Sequence, residues 1–352
     1  MPGHLLGTVR SPLSGMRVLA GDIGGTNTRL RIAECGRGRH HAVRDQHFDS
    51  GAYDSLTSVL REFLKQEANR AIDAVCLAIA GPVGTGAAGQ SVQVTNLPWE
   101  VRSAELVDEF AFPRVRLIND FEAVGYGIGA LGRKDFIVLQ SGDPNPHAPC
   151  AVVGAGTGLG QAMLVWQGDH YVPIATEGGH ADFGPTNELQ IELASRLLAT
   201  LGRCSCEDVV SARGLSHIYD FLKGRGGVRE SPGAAADTKH GDRAPAITRA
   251  ALEYNDPLAG EALTLFVDIY GAHAGNVALT TGARGGVYVA GGIAPKILPR
   301  LRDGRFIRAF LDKGTMSRYL AAIPVRVVSN PDVGLIGATM AACRLGKNDS
   351  AS

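Results

Sequence analysis

Two stretches of the chain share one design. Arg17-Val-Leu-Ala-Gly-Asp-Ile-Gly-Gly-Thr-Asn-Thr-Arg-Leu-Arg-Ile-Ala33 sets apolar or alternating segments on either side of a Gly/Thr/Asn turn. Ala151-Val-Val-Gly-Ala-Gly-Thr-Gly-Leu-Gly-Gln-Ala-Met-Leu-Val165 does the same around Gly-Thr-Gly. Apolar runs flanking a glycine-bearing turn read as β-hairpins. One repetition of such a hairpin, in a chain of this length, predicts two related α/β domains.

Elsewhere the pattern alternates between the two periods. Leu56, Val59, Leu60, Phe63 and Leu64 hold helical spacing and predict an amphipathic helix near residues 53–67. Residues 75–80 read as a buried strand ending at Gly81-Pro82. Residues 115–118 read as another, stopped by Asn119-Asp120 before a helical run over 121–131. A helix is expected near 187–201. Asp256-Pro257 then opens a long one, with Asp as N-cap and Pro in the first turn. Gly271, Ala274, Gly275 and Ala278 leave one face of it small, suited to close packing. Residues 287–295 read as a strand entering a Gly-Gly turn and then a helix, 325–328 as a last strand, and 334–344 as a terminal helix. The polar, Gly/Pro-rich stretch 224–245 is expected to be a surface loop. Such alternation of strands and helices argues α/β architecture.

At 352 residues the chain suits two domains of ~150 residues each. With 45% apolar and 20% charged residues it has the makings of a sizeable core. Its 35 basic and 35 acidic residues cancel, with no basic run, so neither a nucleic acid nor an anionic membrane surface is indicated as partner. No apolar run reaches the ~18 residues of a membrane helix. Residues 1–15 carry Pro2, Gly3, Pro12 and Gly15 without the apolar centre of a secretory signal. They are expected to be a loose tail, with Met16 a candidate start directly before the first strand. Six scattered cysteines (Cys35, Cys76, Cys150, Cys204, Cys206, Cys343) are expected to be reduced, buried thiols of a cytosolic protein. Cys204-x-Cys206 lacks the second pair that a structural zinc would need.

Candidate chemistry concentrates in the turns. Glycines at the tip of Asp22-x-Gly24-Gly25-Thr26-Asn27 let backbone N–H groups approach phosphate oxygens. Asp22 offers an oxygen for Mg²⁺ through water, and a plain tight hairpin is the alternative. The ending of a Walker loop is absent. Gly154-x-Gly156-Thr157-Gly158-x-Gly160 is followed by a strand rather than a helix, which disfavours a dinucleotide site. Two like hairpins suit a polyphosphate held from both sides. Asp120 either caps the helix it begins, the commoner role for such an Asp, or serves as a general base. Glu177-Gly-Gly-His180, with Asp182, is suited to vicinal sugar hydroxyls or is a surface turn. Glu207 alone reads as an ordinary charged helix residue.

Taken in order, these segments resemble the bacterial glucokinase family of the hexokinase/actin-like ATPase superfamily. The likeness runs from about Arg17 to about Arg344. It includes Gly21-Asp-Ile-Gly-Gly-Thr-Asn27, Thr95-Asn96 with Trp99, Ile118-Asn-Asp-Phe121, Gly154-Ala-Gly-Thr-Gly-Leu-Gly160, Glu177-Gly-Gly-His180 and Ala290-Gly-Gly-Ile293. The related branch of sugar kinases and repressors has a Cys-rich zinc motif that Cys204 and Cys206 do not complete. Ser211-Ala-Arg-Gly214 replaces a Ser-Gly-Pro-Gly-like turn.

The resemblance implies two ribonuclease-H-like (actin-like ATPase) α/β domains flanking a cleft, residues 17–130 with 331–352 and residues 131–330. It implies ATP-dependent phosphorylation of glucose at the 6-hydroxyl, the first step of glycolysis, by a cytoplasmic homodimer using Mg²⁺. Asn96, Asn119, Asp120, Glu177, His180 and Glu207 would bind the sugar, with Asp120 as base. Gly21, Asp22, Gly24, Gly25, Thr26, Asn27, Gly156, Thr157 and Gly158 would hold the phosphates, and Gly291 and Gly292 the adenosine. A broader hexose or amino-sugar kinase, a non-catalytic sugar sensor and a filament-forming ATPase are the alternatives. Retention of both Asp22 and Asp120 argues against the sensor.

Overall fold

The computed structural model describes residues 15–36, 39–67, 70–229, 231 and 243–347. The expected N-terminal tail, apart from Gly15, and the centre of the polar 224–245 stretch lie outside the described residues. The chain divides into two units, Met1–Ala130 with Gly334–Ser352, and Leu131–Val333.

The first unit begins with the predicted hairpin, β1 (Met16–Ile23) and β2 (Asn27–Gly36), extended by β3 (Arg39–Asp49). Helix α1 (Leu56–Leu64) follows, capped by Ser55, whose side chain accepts from the Ser58 N–H. Next come β4 (Ala74–Ile79), the short strands β5 (Gly84–Gly86), β6 (Gly89–Gln93) and β7 (Glu100–Arg102), α2 (Ser103–Phe110), β8 (Val115–Asn119) and α3 (Asp120–Ile128). The main sheet has the order β3-β2-β1-β4-β8, antiparallel through the first three strands and parallel from β1 onward. Its central strands are buried on both faces, and period two sorts their residues by size. Leu19, Ile23, Val75, Leu77 and Ile79 meet α1 on one face, while Val18, Ala20, Ala74, Cys76 and Ala78 line the other. The alanine-rich face is the one on which a helix can lie close.

The second unit repeats this plan. It contains β9 (Phe136–Gln140), β10 (Cys150–Ala155), β11 (Leu159–Gln167) and β12 (His170–Thr176). Helices α4 (Glu188–Leu201), α5 (Ala212–Arg225), α6 (Arg243–Leu252) and α7 (Pro257–Thr281) lead to β13 (Gly286–Ala290). Then come α8 (Leu298–Leu301), α9 (Arg305–Leu311), α10 (Ser317–Ala321) and β14 (Val325–Val328). The sheet order is β12-β11-β10-β13-β14-β9. Its first five strands repeat the pairing directions of β3-β2-β1-β4-β8, and β9 adds an antiparallel edge. Asp256 caps α7, accepting from the Ala259 N–H at 2.7 Å. The small face of α7 carries α9: a Cβ at Gly271 would overlap the Phe306 carbonyl, and one at Gly275 would lie 2.6 Å from that of Phe310. Ser211, at the departure from the family turn, caps α5 by accepting from the Gly214 N–H at 3.0 Å.

The chain closes with α11 (Val333–Lys347), packed by Leu335, Ala338, Ala341 and Ala342 on the alanine face of the first unit's sheet. Gly337 lets it cross α3, since a Cβ there would overlap the Ala123 carbonyl. One expectation is corrected here. Cys35 at the end of β2 and Cys343 on α11 form a disulfide, with their Cα atoms 5.8 Å apart across 308 residues of sequence. Docking of the last helix against β2 brings the pair together, a closure that residue spacing does not reveal. Cys76, Cys150, Cys204 and Cys206 are free and buried, as expected. Among the described residues, no helix is long and apolar enough to cross a membrane.

Candidate active site

In the first unit the candidate residues gather at the C-terminal ends of the parallel strands. Asp22 faces Arg29 across the hairpin, and its Oδ2 accepts from the Arg29 guanidinium at 2.5 Å. The tip is tight: Gly24 N–H donates to the Asn27 carbonyl at 2.9 Å, and the Ser50 hydroxyl donates to the Gly24 carbonyl at 3.0 Å. A Cβ at Gly25 would lie 2.8 Å from the Thr95 carbonyl, so glycine there lets Thr95-Asn96 rest on the tip. Asn96 adopts φ 64°, a left-handed conformation that Asn tolerates better than most residues. Gly334, near the start of α11, abuts Asp22; a Cβ on it would sit 3.2 Å from Oδ2.

Ile23, Ile79 and Asn119 stand in register on β1, β4 and β8, so Asn119 lies about 10 Å, two strand spacings, from the end of β1. Asn119, not Asp120, is the N-cap of α3. Its Oδ1 accepts from the Phe121 N–H at 2.8 Å, and its amide donates to the Gly81 carbonyl at 3.2 Å. Asp120 is the first helical residue, and its Oδ1 accepts from the same Phe121 N–H at 2.9 Å. The capping role left open for Asp120 therefore belongs to its neighbour.

In the second unit the second glycine turn, the Gly-Gly turn and the Glu/His turn surround the ends of β10, β11 and β13. Gly156 N–H donates to the Gly158 carbonyl at 2.8 Å, and a Cβ at Gly156 would meet open space. Gly291 takes φ 81° and packs on Ala155, while Gly292 is open. Glu177 leads into a 3₁₀ turn, Gly178–His180, closed by a 3.0 Å bond from the His180 N–H to the Glu177 carbonyl. A Cβ at Gly179 would overlap the Leu159 carbonyl, so this turn is seated directly on β11.

Glu207 stands in a turn before α5, contrary to the helix expected for it, because Ser211 starts that helix. Its N–H donates to the Gly179 carbonyl at 2.9 Å, and its Oε2 accepts from the Leu159 N–H at 2.9 Å. One residue thus ties the Glu/His turn to the glycine turn. Burial pushes the Cys204 and Cys206 thiols up to about 11, which keeps them protonated at neutral pH. Among the described residues no group of three or more His, Cys, Asp or Glu is arranged to hold a metal ion. Asp22 offers a carboxylate beside the hairpin tip, a donor suited to Mg²⁺ through water rather than to an all-protein cage.

A family model described as glucokinase matches residues 19–345. A glucokinase of Nostoc sp. is 44% identical over 343 residues, covering 93% of this chain and 99% of the relative. The chain belongs to the glucokinase family. A solved glucokinase from an Antarctic psychrotroph has a TM-score of 0.80 at 31% identity, covering 93% of this chain and 99% of the other. The glucokinase of Balamuthia mandrillaris, solved with glucose, shares the fold at TM-score 0.72 and 22% identity, covering 94% of each chain. The fold is accordingly the ribonuclease-H-like one of the actin-like ATPases.

Three further residues of this glucokinase-family chain escaped the sequence reading. Arg29 was legible in principle, because a four-residue tip places it opposite Asp22. Gln161 and its partner His273, 2.7 Å apart, are separated by 112 residues, and no local pattern joins them.

Proposed function

We propose that this chain transfers the γ-phosphoryl group of ATP to the 6-hydroxyl of D-glucose. Membership of the glucokinase family over residues 19–345 carries the reading. In it, Asn119, Glu177, His180 and Glu207 bind sugar hydroxyls, with Asn96 beside them. Asp120 accepts the proton of the 6-hydroxyl as that oxygen attacks the γ-phosphorus, and the bond to the β-γ bridging oxygen breaks to release ADP. The role suits a carboxylate at the first position of α3 whose cap is supplied by Asn119. Backbone N–H groups of the turns at 24–27 and 156–158 receive the phosphates, where open glycines such as Gly156 leave the main chain accessible. Gly291 and Gly292 lie under the adenosine. Mg²⁺, when bound, supplies charge neutralisation at the phosphates, with Asp22 holding it through water. Arg29 keeps the Asp22 carboxylate oriented in the meantime. The same reading makes the protein a cytoplasmic homodimer feeding glycolysis, which light scattering of the purified protein tests.

The decisive experiment is a coupled assay for glucose 6-phosphate with ATP, Mg²⁺ and glucose, run on the wild type and Asp120→Ala. Removal of a general base is expected to lower kcat by ~10²–10⁴-fold while calorimetry still registers glucose binding. Wild-type turnover in the variant would remove Asp120 from its role. Absence of product from both proteins, with glucose still bound, would make the chain a sugar sensor.

A further inference from the structure

Gln161 and His273 are buried polar residues, each 7% exposed, that the proposed mechanism does not use. Gln161 sits on β11 directly opposite Thr176, the residue before Glu177. Its side-chain nitrogen lies 2.7 Å from Nε2 of His273, in the middle of α7. An amide nitrogen only donates, so the ring nitrogen accepts and the imidazole is neutral, with its proton on Nδ1. Burial holds it so, lowering the His273 pKa to about 4, helped by the charge of Lys313.

With its nitrogen turned to His273, Gln161 turns its oxygen the other way, against Gly178. A Cβ at Gly178 would overlap that oxygen, so only glycine fits between Gln161 and the turn that presents Glu177 and His180. His273 also lines a pocket, with Phe183, Gly184, Cys206, Val209 and Asn276. Phe183 and Gly184 continue the chain from the Glu/His turn, and Cys206 precedes Glu207. The Thr176 hydroxyl meets Gly178 as well, accepting from its N–H at 3.3 Å.

We propose that Gln161 and His273 are positioning residues for glucose: a strut from α7 through β11 that fixes the height and tilt of the turn carrying Glu177 and His180. This rests on the reading of that turn as a sugar site. Neither residue touches substrate in this scheme. The strut acts first on the sugar side, because its oxygen meets Gly178 of the Glu/His turn, while the glycine turn is reached one step further on, through Leu159.

The test is steady-state kinetics on the wild type, Gln161→Leu, His273→Leu, His273→Gln and the double Leu variant, with glucose and ATP varied in turn. Loss of a buried hydrogen bond that positions a binding turn is expected to raise the glucose KM by about 5–30-fold in each single Leu variant. The KM for ATP should stay within about two-fold. Residues acting as one unit are non-additive, so the double variant should be no worse than either single one. His273→Gln keeps an acceptor at the height of Nε2 and should restore a wild-type glucose KM. Unchanged glucose KM in both single Leu variants would overturn the proposal. So would a loss shared equally by glucose KM, ATP KM and folded fraction by circular dichroism. An inactive wild type would instead end the reading of the site as a kinase. Calorimetry with glucose on the same proteins then decides the strut by itself, equal affinities sinking it.

Discussion

Asp120 and His273 show how position outweighs identity. An Asp at the start of a helix is ordinarily a cap, and only the structure gives that task to Asn119. His273, by contrast, reads in the sequence as one apolar-helix residue among many, and its chemistry comes from burial. Its pKa is lowered from 6.5 to about 4 in the folded chain. Between those values the unfolded chain binds a proton that the folded one does not, so stability declines as pH falls from 6.5 towards 4 and is unaffected above 6.5. A shift of this size corresponds to at most about 3 kcal/mol. Denaturant unfolding at pH 7 and pH 4.5 should show a larger loss in the wild type than in His273→Gln, whose side chain does not titrate. Equal losses in the two proteins would mean that His273 is charged in both states or exposed.

Among the elements, legibility followed burial. Both hairpins, the central strands and α7 are built from residues whose period matches the element, and the sequence predicts them to within a few positions. In the two main sheets, the strands it does not reveal are edges. β3 is Arg39-His-His-Ala-Val-Arg-Asp-Gln-His-Phe-Asp49, too polar to announce itself, and it pairs on one side only. β12 contains Pro173, which an edge strand accepts because one row of its main chain needs no partner.

The small face of α7 was legible, and two glycines of the helix, one off that face and one on it, give a paired prediction. Gly260 has nothing within 4 Å of a Cβ, so Gly260→Ala should stabilise by about 1 kcal/mol through helix propensity alone. Gly271→Ala gains the same propensity but drives a methyl into the Phe306 carbonyl on α9. Overpacking costs about 1–3 kcal/mol, so the net effect should be destabilising. Thermal melts of the two variants should move in opposite directions. A stabilised Gly271→Ala would show that α9 is free to shift.

Taken whole, the chain repeats one sheet plan, and the hairpin pair at its two beginnings was enough to suggest the duplication. The candidate site could be proposed for the same reason: its Gly-rich turns stand at strand ends, and their residues sit close together in sequence. What closes over the greatest separation was hidden, and the Cys35–Cys343 disulfide is the extreme case. The segment between its cysteines, a sequence separation of 308, includes all of Leu131–Val333, so one covalent loop holds the entire second unit. Cross-linking so long a loop restrains the unfolded chain strongly, by roughly 2–5 kcal/mol. The stabilisation falls on α11, whose N-terminal end abuts Asp22 through Gly334. Denatured without reductant, the protein should titrate four thiols, those of Cys76, Cys150, Cys204 and Cys206, and six after reduction. Cys343→Ser should unfold at lower denaturant and lose amide protection in α11 and β2 before α7. Six reactive thiols without reductant would show the bond to be absent in solution. The helix would then be held only by its alanine-faced packing, and Cys343→Ser should leave stability almost unchanged.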